Sequence, residues 1–288
     1  MHRDEHVVRS TVGVTARGRA TVGPARTEPA GPAATGAPPP APPTVVAAPA
    51  ESASRPAPEP MPPATDMTME FRRPVIKAVW SDFAGVMTPP NADTVRAFCE
   101  RVGVTPEFFI AAMREVGDRY GTDSMGPLDT PLTTQDRWSA QVSEILTYRY
   151  GEVVDLTDFG EKWFAGRPVN TAWLDWLRGV RARGIFVGMM SNMVPAWDPL
   201  WRRMIPPEQF DALVLSYQIG VRKPEPGIFE VAQRESGVAA QHCVLIDDVE
   251  KNCAGAREAG WHAVRFTHNE SVIDRMEFLM GTHWKVRR

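Results

Sequence analysis

Val75-Ile76-Lys77-Ala78-Val79-Trp80-Ser81-Asp82-Phe83-Ala84-Gly85-Val86-Met87-Thr88 decides how the rest of the chain is read. A short apolar run with β-branched residues predicts a buried strand. The run ends on Asp82, and Gly85 follows in a turn. Open α/β sheets place their ligands at the carboxyl ends of their strands, so Asp82 is a candidate site residue. Ala84, two positions on, sets which chemistry remains open to it.

Working outward, further apolar runs of strand length occur at 185–190, 212–215, 243–246 and 262–266. Helical patterns lie between and around them at 172–183, 227–236 and 252–259. Gly184, Gly237 and Gly260 each follow a helix and precede a strand, as helix-stopping glycines do. Strands alternating with crossover helices predict an α/β fold, a doubly wound, Rossmann-like parallel sheet.

Residues 89–168 break this rhythm. They hold helical patterns at 94–102, 106–120 and 134–150 and no clear strand. A helical cap inserted after the first strand would hang over the carboxyl end of the sheet and act as a lid. Trp138, Tyr148 and Trp163 either form the core of this cap or line its underside. The expected organisation is a core of 71–88 and 169–288, a cap of 89–168, and a tail of 1–70.

The tail is rich in Pro, Ala, Thr, Gly and Glu, and carries about half of the 27 prolines. It has few large apolar residues to offset the entropy of ordering, so it is expected to be disordered. Asp4 and Glu5 beside Arg3, with no apolar core after them, do not fit a signal peptide. No stretch approaches the roughly 18 apolar residues of a membrane span. The three cysteines, Cys99, Cys243 and Cys253, lack zinc-site spacing, and their odd number suits reduced thiols in the cytoplasm. A net charge of -3 gives no reason to expect a nucleic-acid partner. Oligomeric state has no signature here.

Four signals stand at the ends of predicted strands or just past them. They are Asp82 with Gly85, Ser191-Asn192, Lys223, and Asp247-Asp248 with Asn252. Each alone has an ordinary explanation as a cap, a turn or a surface loop. In this order on alternate elements they suggest one site. Three converging carboxylates need a cation, and oxygen ligands suit Mg²⁺. Mg²⁺, Lys223 and the Ser191 hydroxyl would bind an anion such as phosphate, and Asp82 could then attack it as a nucleophile. A helix starting near Asn252 would turn its positive end to the same place.

With these motifs the chain resembles the haloacid dehalogenase-like hydrolase superfamily over about 75–266. The first motif, Asp82-Phe83-Ala84-Gly85-Val86-Met87, is similar to the Asp-Phe-Gly-Gly-Val-Leu of bacterial members with a helical cap. Those members are similar to the phosphatase-like domain of soluble epoxide hydrolase. The resemblance implies Mg²⁺-dependent chemistry through an aspartyl intermediate, on a small phosphate or diphosphate. Asp82 would be the nucleophile, while Ser191, Asn192 and Lys223 would bind the transferring group and steady its charge. Asp248 would hold Mg²⁺ with Asp82 and the Ala84 backbone carbonyl, and Asp247 would be a further ligand or its neighbour. Gly85 and Asn252 would orient the site.

Phosphatases of that superfamily usually carry a second aspartate at the position of Ala84, which protonates the leaving oxygen. Losing such a general acid typically costs about 10²–10⁴-fold in rate. Three readings stay open. One is a hydrolase of activated phosphates, or one that recruits an acid from the substrate or from the cap, where Asp93, Glu115, Asp118 and Asp123 are candidates. Another is different chemistry. A phosphonate-cleaving enzyme would need a cap lysine, and Lys162 at the far edge is a poor match. A dehalogenase would not need the Asp247-Asp248 pair. Diphosphate departure from a prenyl substrate would draw on an aromatic pocket, with Trp173, Trp176, Trp197 and Trp201 available, although the 173/176 spacing suits core packing. The third is a catalytically silent protein that binds a phosphorylated ligand or a partner. His242 and His262 read as edge or core histidines, Cys253 as packing, and 285–288 as a frayed basic end.

Overall fold

Trp80, at the centre of the first strand, lies across a gap left by Gly188 in the neighbouring one. The two are register partners, and a Cβ on Gly188 would fall inside the indole. This pair comes from a computed structural model that describes residues 75–281 of the 288. The expected tail at 1–70 and the basic end at 285–288 lie outside the described residues.

Strand β1 (Ala78–Ser81) leads into the helices α1 (Asn91–Val102), α2 (Pro106–Arg119), α3 (Gly126–Asp129), α4 (Gln135–Tyr150) and α5 (Phe159–Phe164). The chain then returns through α6 (Thr171–Ala182), β2 (Phe186–Ser191), α7 (Asp198–Met204) and β3 (Ala212–Leu215). It continues as α8 (Ser216–Ile219), α9 (Pro226–Ser236), β4 (Cys243–Asp247), α10 (Glu250–Glu258), β5 (His262–Arg265) and α11 (Asn269–Leu279). All pairings are parallel, in the order β3-β2-β1-β4-β5. The expected doubly wound sheet is therefore present. Gly184, Gly237 and Gly260 end their helices at φ of 78, 64 and 79°, a conformation that costs glycine little.

Alternation along β1 feeds two cores. Val79 joins the larger cluster, with Val187, Met189, Val244 and Ile246 of the neighbouring strands and the helices at 91–182. Ala78 and Trp80 face the other way, onto Ile228, Phe229 and Ala232 of α9 and Trp261. Strands buried on both faces read as continuous apolar runs, and that made them legible. Ser81 is polar yet buried, and its Oγ accepts from the Trp173 Nε1–H at 3.0 Å.

Several expectations need correction. α10 starts at Glu250, two residues earlier than the pattern implied, because Val249 already takes the capping place. Tyr148 neither packs in the helical segment nor lines its underside, since it is 83% exposed. Trp138 is fully buried core, and Trp163 is both core and cavity wall. Trp173 is buried and stacks on Trp176 with centroids 4.7 Å apart, which is the packing role expected. The short helices α3, α5, α7 and α8, and the longer α11, had no clear signal in the sequence.

Candidate active site

The chain order reverses about β1, which is flanked by β2 and β4. A crevice opens outside the carboxyl ends of strands at such a switch point. Asp82 leaves β1 there, and its N–H still donates to Ile246 O of β4 at 2.9 Å. Asp247 ends β4, Ser191 ends β2, and Lys223 arrives on the loop after α8.

Lys223 ties these strand ends together. Its side chain is 1% exposed. Nζ lies 2.8 Å from Asp82 Oδ1 and 2.6 Å from Asp247 Oδ2, and donates to Met190 O at 2.9 Å. Burial works against its charge, but Asp247 and Asp82 outweigh burial and hold its pKa above the usual value. Asn192 fixes the backbone of this lysine from both sides. Its Nδ2 donates to Lys223 O at 3.0 Å, and its Oδ1 accepts from Lys223 N at 2.8 Å. The side-chain amide of Asn192 is therefore engaged with the lysine loop.

Asp82 Oδ1 also accepts from Phe83 N–H at 2.6 Å. Both ion-pair and backbone contacts fall on Oδ1, so Oδ2 is the oxygen left for chemistry. Burial raises the carboxyl, and Asp247 and Asp248 push the same way, against the pull of Lys223. Asp247 is sealed. Its oxygens accept from Val249 N–H, from Asn252 Nδ2 and from Lys223. Asp248 is half-buried, and its Oδ1 is enclosed with no partner among the described residues. Burial again raises its pKa, with Asp247 adding to the effect.

Asp82, Asp247 and Asp248 offer oxygens that lie within 4.8 Å of one another. Three carboxylates face one ammonium, and the enclosed Asp248 Oδ1 has no donor among the described residues. That donor set fits a hard divalent cation. The Ala84 carbonyl accepts none of the backbone hydrogen bonds of its turn, so it is available as a further ligand.

A cavity of about 350 Å³ opens over Asp82, Ser191, Lys223 and Asp248. Its opposite wall comes from the helices at 91–129 and from Trp163 and Arg167. Among the four acids considered as substitutes for the missing one, only Asp123 reaches this cavity. Burial pushes Asp123 up, but Arg222 and two backbone N–H groups outweigh it and hold the carboxyl low, so it is a poor proton donor. Asp93 pairs with Arg96, and Glu115 with Arg119 and Arg149, away from the cavity, while Asp118 lines a separate surface hollow. Lys162 is held by Asp155 at 2.8 Å and does not reach the cavity either. The aromatic side chains that do are Phe83, Trp163 and Trp197, so of the four tryptophans considered for a prenyl pocket only Trp197 lines the cavity.

Other cavity residues had no sequence signal. Asp129 is 2% exposed, pairs with Arg222 at 2.8 Å, and is pushed up to about 7 by burial against the pull of that arginine. Arg222 stands directly before Lys223, and this adjacency was the one hint. Arg167 lies at the end of the helical segment, after α5 and before Pro168, in no motif.

Comparison with known proteins gives the family. A model described as haloacid dehalogenase-like hydrolase matches residues 76–260. The chain belongs to the haloacid dehalogenase-like hydrolases. Acyl-CoA dehydrogenase family member 10 of Mus musculus is 26% identical over 107 residues, which is 35% of this chain and only 10% of that protein. D-ribitol-5-phosphate phosphatase of Bacteroides thetaiotaomicron is 25% identical over 196 residues, 65% of this chain and 90% of that protein. A solved HAD family enzyme of the same bacterium, in complex with magnesium and inorganic phosphate, has the same fold. The TM-score is 0.51 at 20% identity, over 69% of this chain and 98% of that one. Among the described residues, no helix is long and apolar enough to cross a membrane.

Proposed function

We propose that this haloacid dehalogenase-like hydrolase is a Mg²⁺-dependent phosphatase that uses Asp82 as its nucleophile on a small phosphorylated molecule. The observation that carries the reading is the buried Lys223, which aligns Asp82 with Asp247 and leaves Asp82 Oδ2 free below an open cavity. The phosphatase named among its relatives, and the magnesium and phosphate held by a protein of the same fold, support it.

Asp248, Asp82 and the Ala84 carbonyl are the residues that would hold Mg²⁺, beside the charge of Asp247. Bound there, the ion would neutralise the carboxylates and draw charge from the phosphoryl oxygens. Asp82 Oδ2 attacks phosphorus as the bond to the leaving oxygen breaks, and the electron pair goes to that oxygen. Water then attacks the aspartyl phosphate, which frees phosphate and restores Asp82. Ser191 binds and orients the phosphoryl group, Lys223 holds Asp82 in place and steadies the charge beside it, and the helical segment 89–168 acts as the cap that shields the site from bulk water.

The test is phosphate release from p-nitrophenyl phosphate with and without Mg²⁺, by the wild type and by Asp82→Asn. Release that needs both Mg²⁺ and Asp82 is the expected result. Equal release by Asp82→Asn would sink the nucleophile assignment, and a silent wild type would sink the phosphatase reading.

A further inference from the structure

Four basic side chains border the cavity with Asp82: Arg167, Arg222, Lys223 and Lys251. Lys223 is held by Asp82 and Asp247, and Arg222 by Asp123 and Asp129. Lys251 is exposed to solvent. Arg167 differs from all of these. Its Nε and Nη2 are enclosed and have no hydrogen-bond partner among the described residues.

The guanidinium packs against two rings, with Cζ 5.5 Å from the centroids of Phe83 and Phe164. Phe83 sits between Asp82 and Ala84 in sequence, so Arg167 stands against the turn that carries the nucleophile. Burial lowers its pKa to about 10, with Asp82 acting in the opposite sense, so it stays charged at neutral pH. Arg167 is half-buried, and enclosed N–H groups without an acceptor are unfavourable, whereas a fork of N–H donors is suited to oxygen anions. What it lacks in this site is an anion, and the reaction makes one.

The leaving oxygen develops that negative charge when its bond to phosphorus breaks. No free proton donor lies on this turn. Ala84 has none to give, Asp123 is held ionised by Arg222, and Asp129 is tied to Arg222 at 2.8 Å through Oδ2 with its Oδ1 enclosed. We propose that Arg167 stabilises the negative charge on the leaving oxygen, taking electrostatically the role that a proton donor at residue 84 would fill. This rests on the phosphatase reading above. The guanidinium keeps its protons. The oxygen departs as an anion bridged to Arg167 and takes its proton from water afterwards.

The test is a series of aryl phosphates with leaving phenols of graded acidity, extended to an alkyl phosphate. It is run with Mg²⁺ on the wild type, Arg167→Met and Arg167→Lys, with thermal melts to confirm folding. Removing a donor to a developing anion costs on the order of 10²–10³-fold. The expected result is a loss of that order in Arg167→Met for the poorest leaving groups, fading toward the nitrophenyl ester, and partly restored in Arg167→Lys. A loss equal across the series overturns the proposal, because it places Arg167 on the phosphoryl group or in the fold alone. No loss at all does the same. Those outcomes leave the phosphatase reading standing, whereas a wild type silent on every ester removes both.

Discussion

Gly85 has no Cβ, and the carboxylate of Asp248 occupies the place where one would be. A Cβ built on Gly85 meets Oδ2, Cγ and Oδ1 of Asp248 within contact distance, and Gly85 itself has φ of +80°. The glycine therefore serves two needs, a left-handed turn after β1 and room for the acid after β4. Gly85→Ala is expected to destabilise the fold by about 1–2 kcal/mol through its φ. It is also expected to displace Asp248 and so abolish any rise in melting temperature on adding Mg²⁺. Thermal melts with and without Mg²⁺ read both effects. A variant that keeps the full Mg²⁺ response would show that Asp248 need not sit where Gly85 allows it.

Lys223 is the cation on which two buried carboxylates depend. Lys223→Met leaves Asp82 and Asp247 facing each other without it, and breaking a buried ion pair by removing one partner costs roughly 3–5 kcal/mol. Urea unfolding checks the size of the loss. A change below about 1 kcal/mol, the scale of an exposed ion pair, would show that the lysine does not hold these strand ends together.

Asp129 gives a pH dependence whose sign can be worked out. Its folded pKa is about 7, raised from 3.8 by burial. The folded state therefore holds this proton more tightly than the unfolded chain does. Its ionisation costs stability progressively from about pH 4 up to about pH 7, and the cost stays constant above that. Asp129→Asn has no such proton. The melting temperature of the variant minus that of the wild type should therefore rise as pH goes from 4 to 7, whatever the loss of the Arg222 pair does to the offset. A difference that falls with pH would mean that Arg222 keeps Asp129 ionised below its ordinary value.

The strands were legible because β1, β2 and β4 are buried on both faces and are written as unbroken apolar runs between turn residues. Asp82, Ser191 and Asp247-Asp248 could be picked out because they stand at the ends of those runs or just past them, with Lys223 on the loop after α8, and the fold brings them together. What the sequence concealed was set by contacts across long stretches of chain. Asn192 meets the Lys223 backbone 31 residues away, and Arg222 meets Asp129 at 93. α3 has four residues and begins on Gly126-Pro127, so no period could reveal it. Arg167 sits where the helical segment rejoins the sheet, and only its packing on Phe83 makes it stand out.

Gly188 separates stability from the site. It lies on the strand face that holds Trp80, and Gly188→Ala would force the indole away. Overpacking of this kind costs about 1–3 kcal/mol. Chemical denaturation should show that loss, while turnover per folded molecule stays unchanged, because Asp82 and its partners lie at the strand ends or past them. A matching loss of turnover would mean that β2 transmits strain to Ser191.

Ala84 faces the same cavity as Asp82, and on the proposed phosphatase reading it is the place where substrate range can be changed. An aspartate there would supply a proton to the leaving oxygen, a contribution worth up to about 10²–10⁴-fold. The benefit depends on the leaving group. A nitrophenolate departs without help, whereas an alkoxide does not. Ala84→Asp is therefore expected to raise turnover of alkyl phosphates and to change that of p-nitrophenyl phosphate little. The two substitutions should also interact. Once a proton donor is present, the leaving oxygen carries less charge for Arg167 to meet, so Arg167→Met should cost less in the Ala84→Asp background than in the wild type. Steady-state rates on one alkyl and one aryl ester, in the four combinations, measure that coupling. If the two effects simply multiply, Arg167 and residue 84 act on different atoms of the substrate.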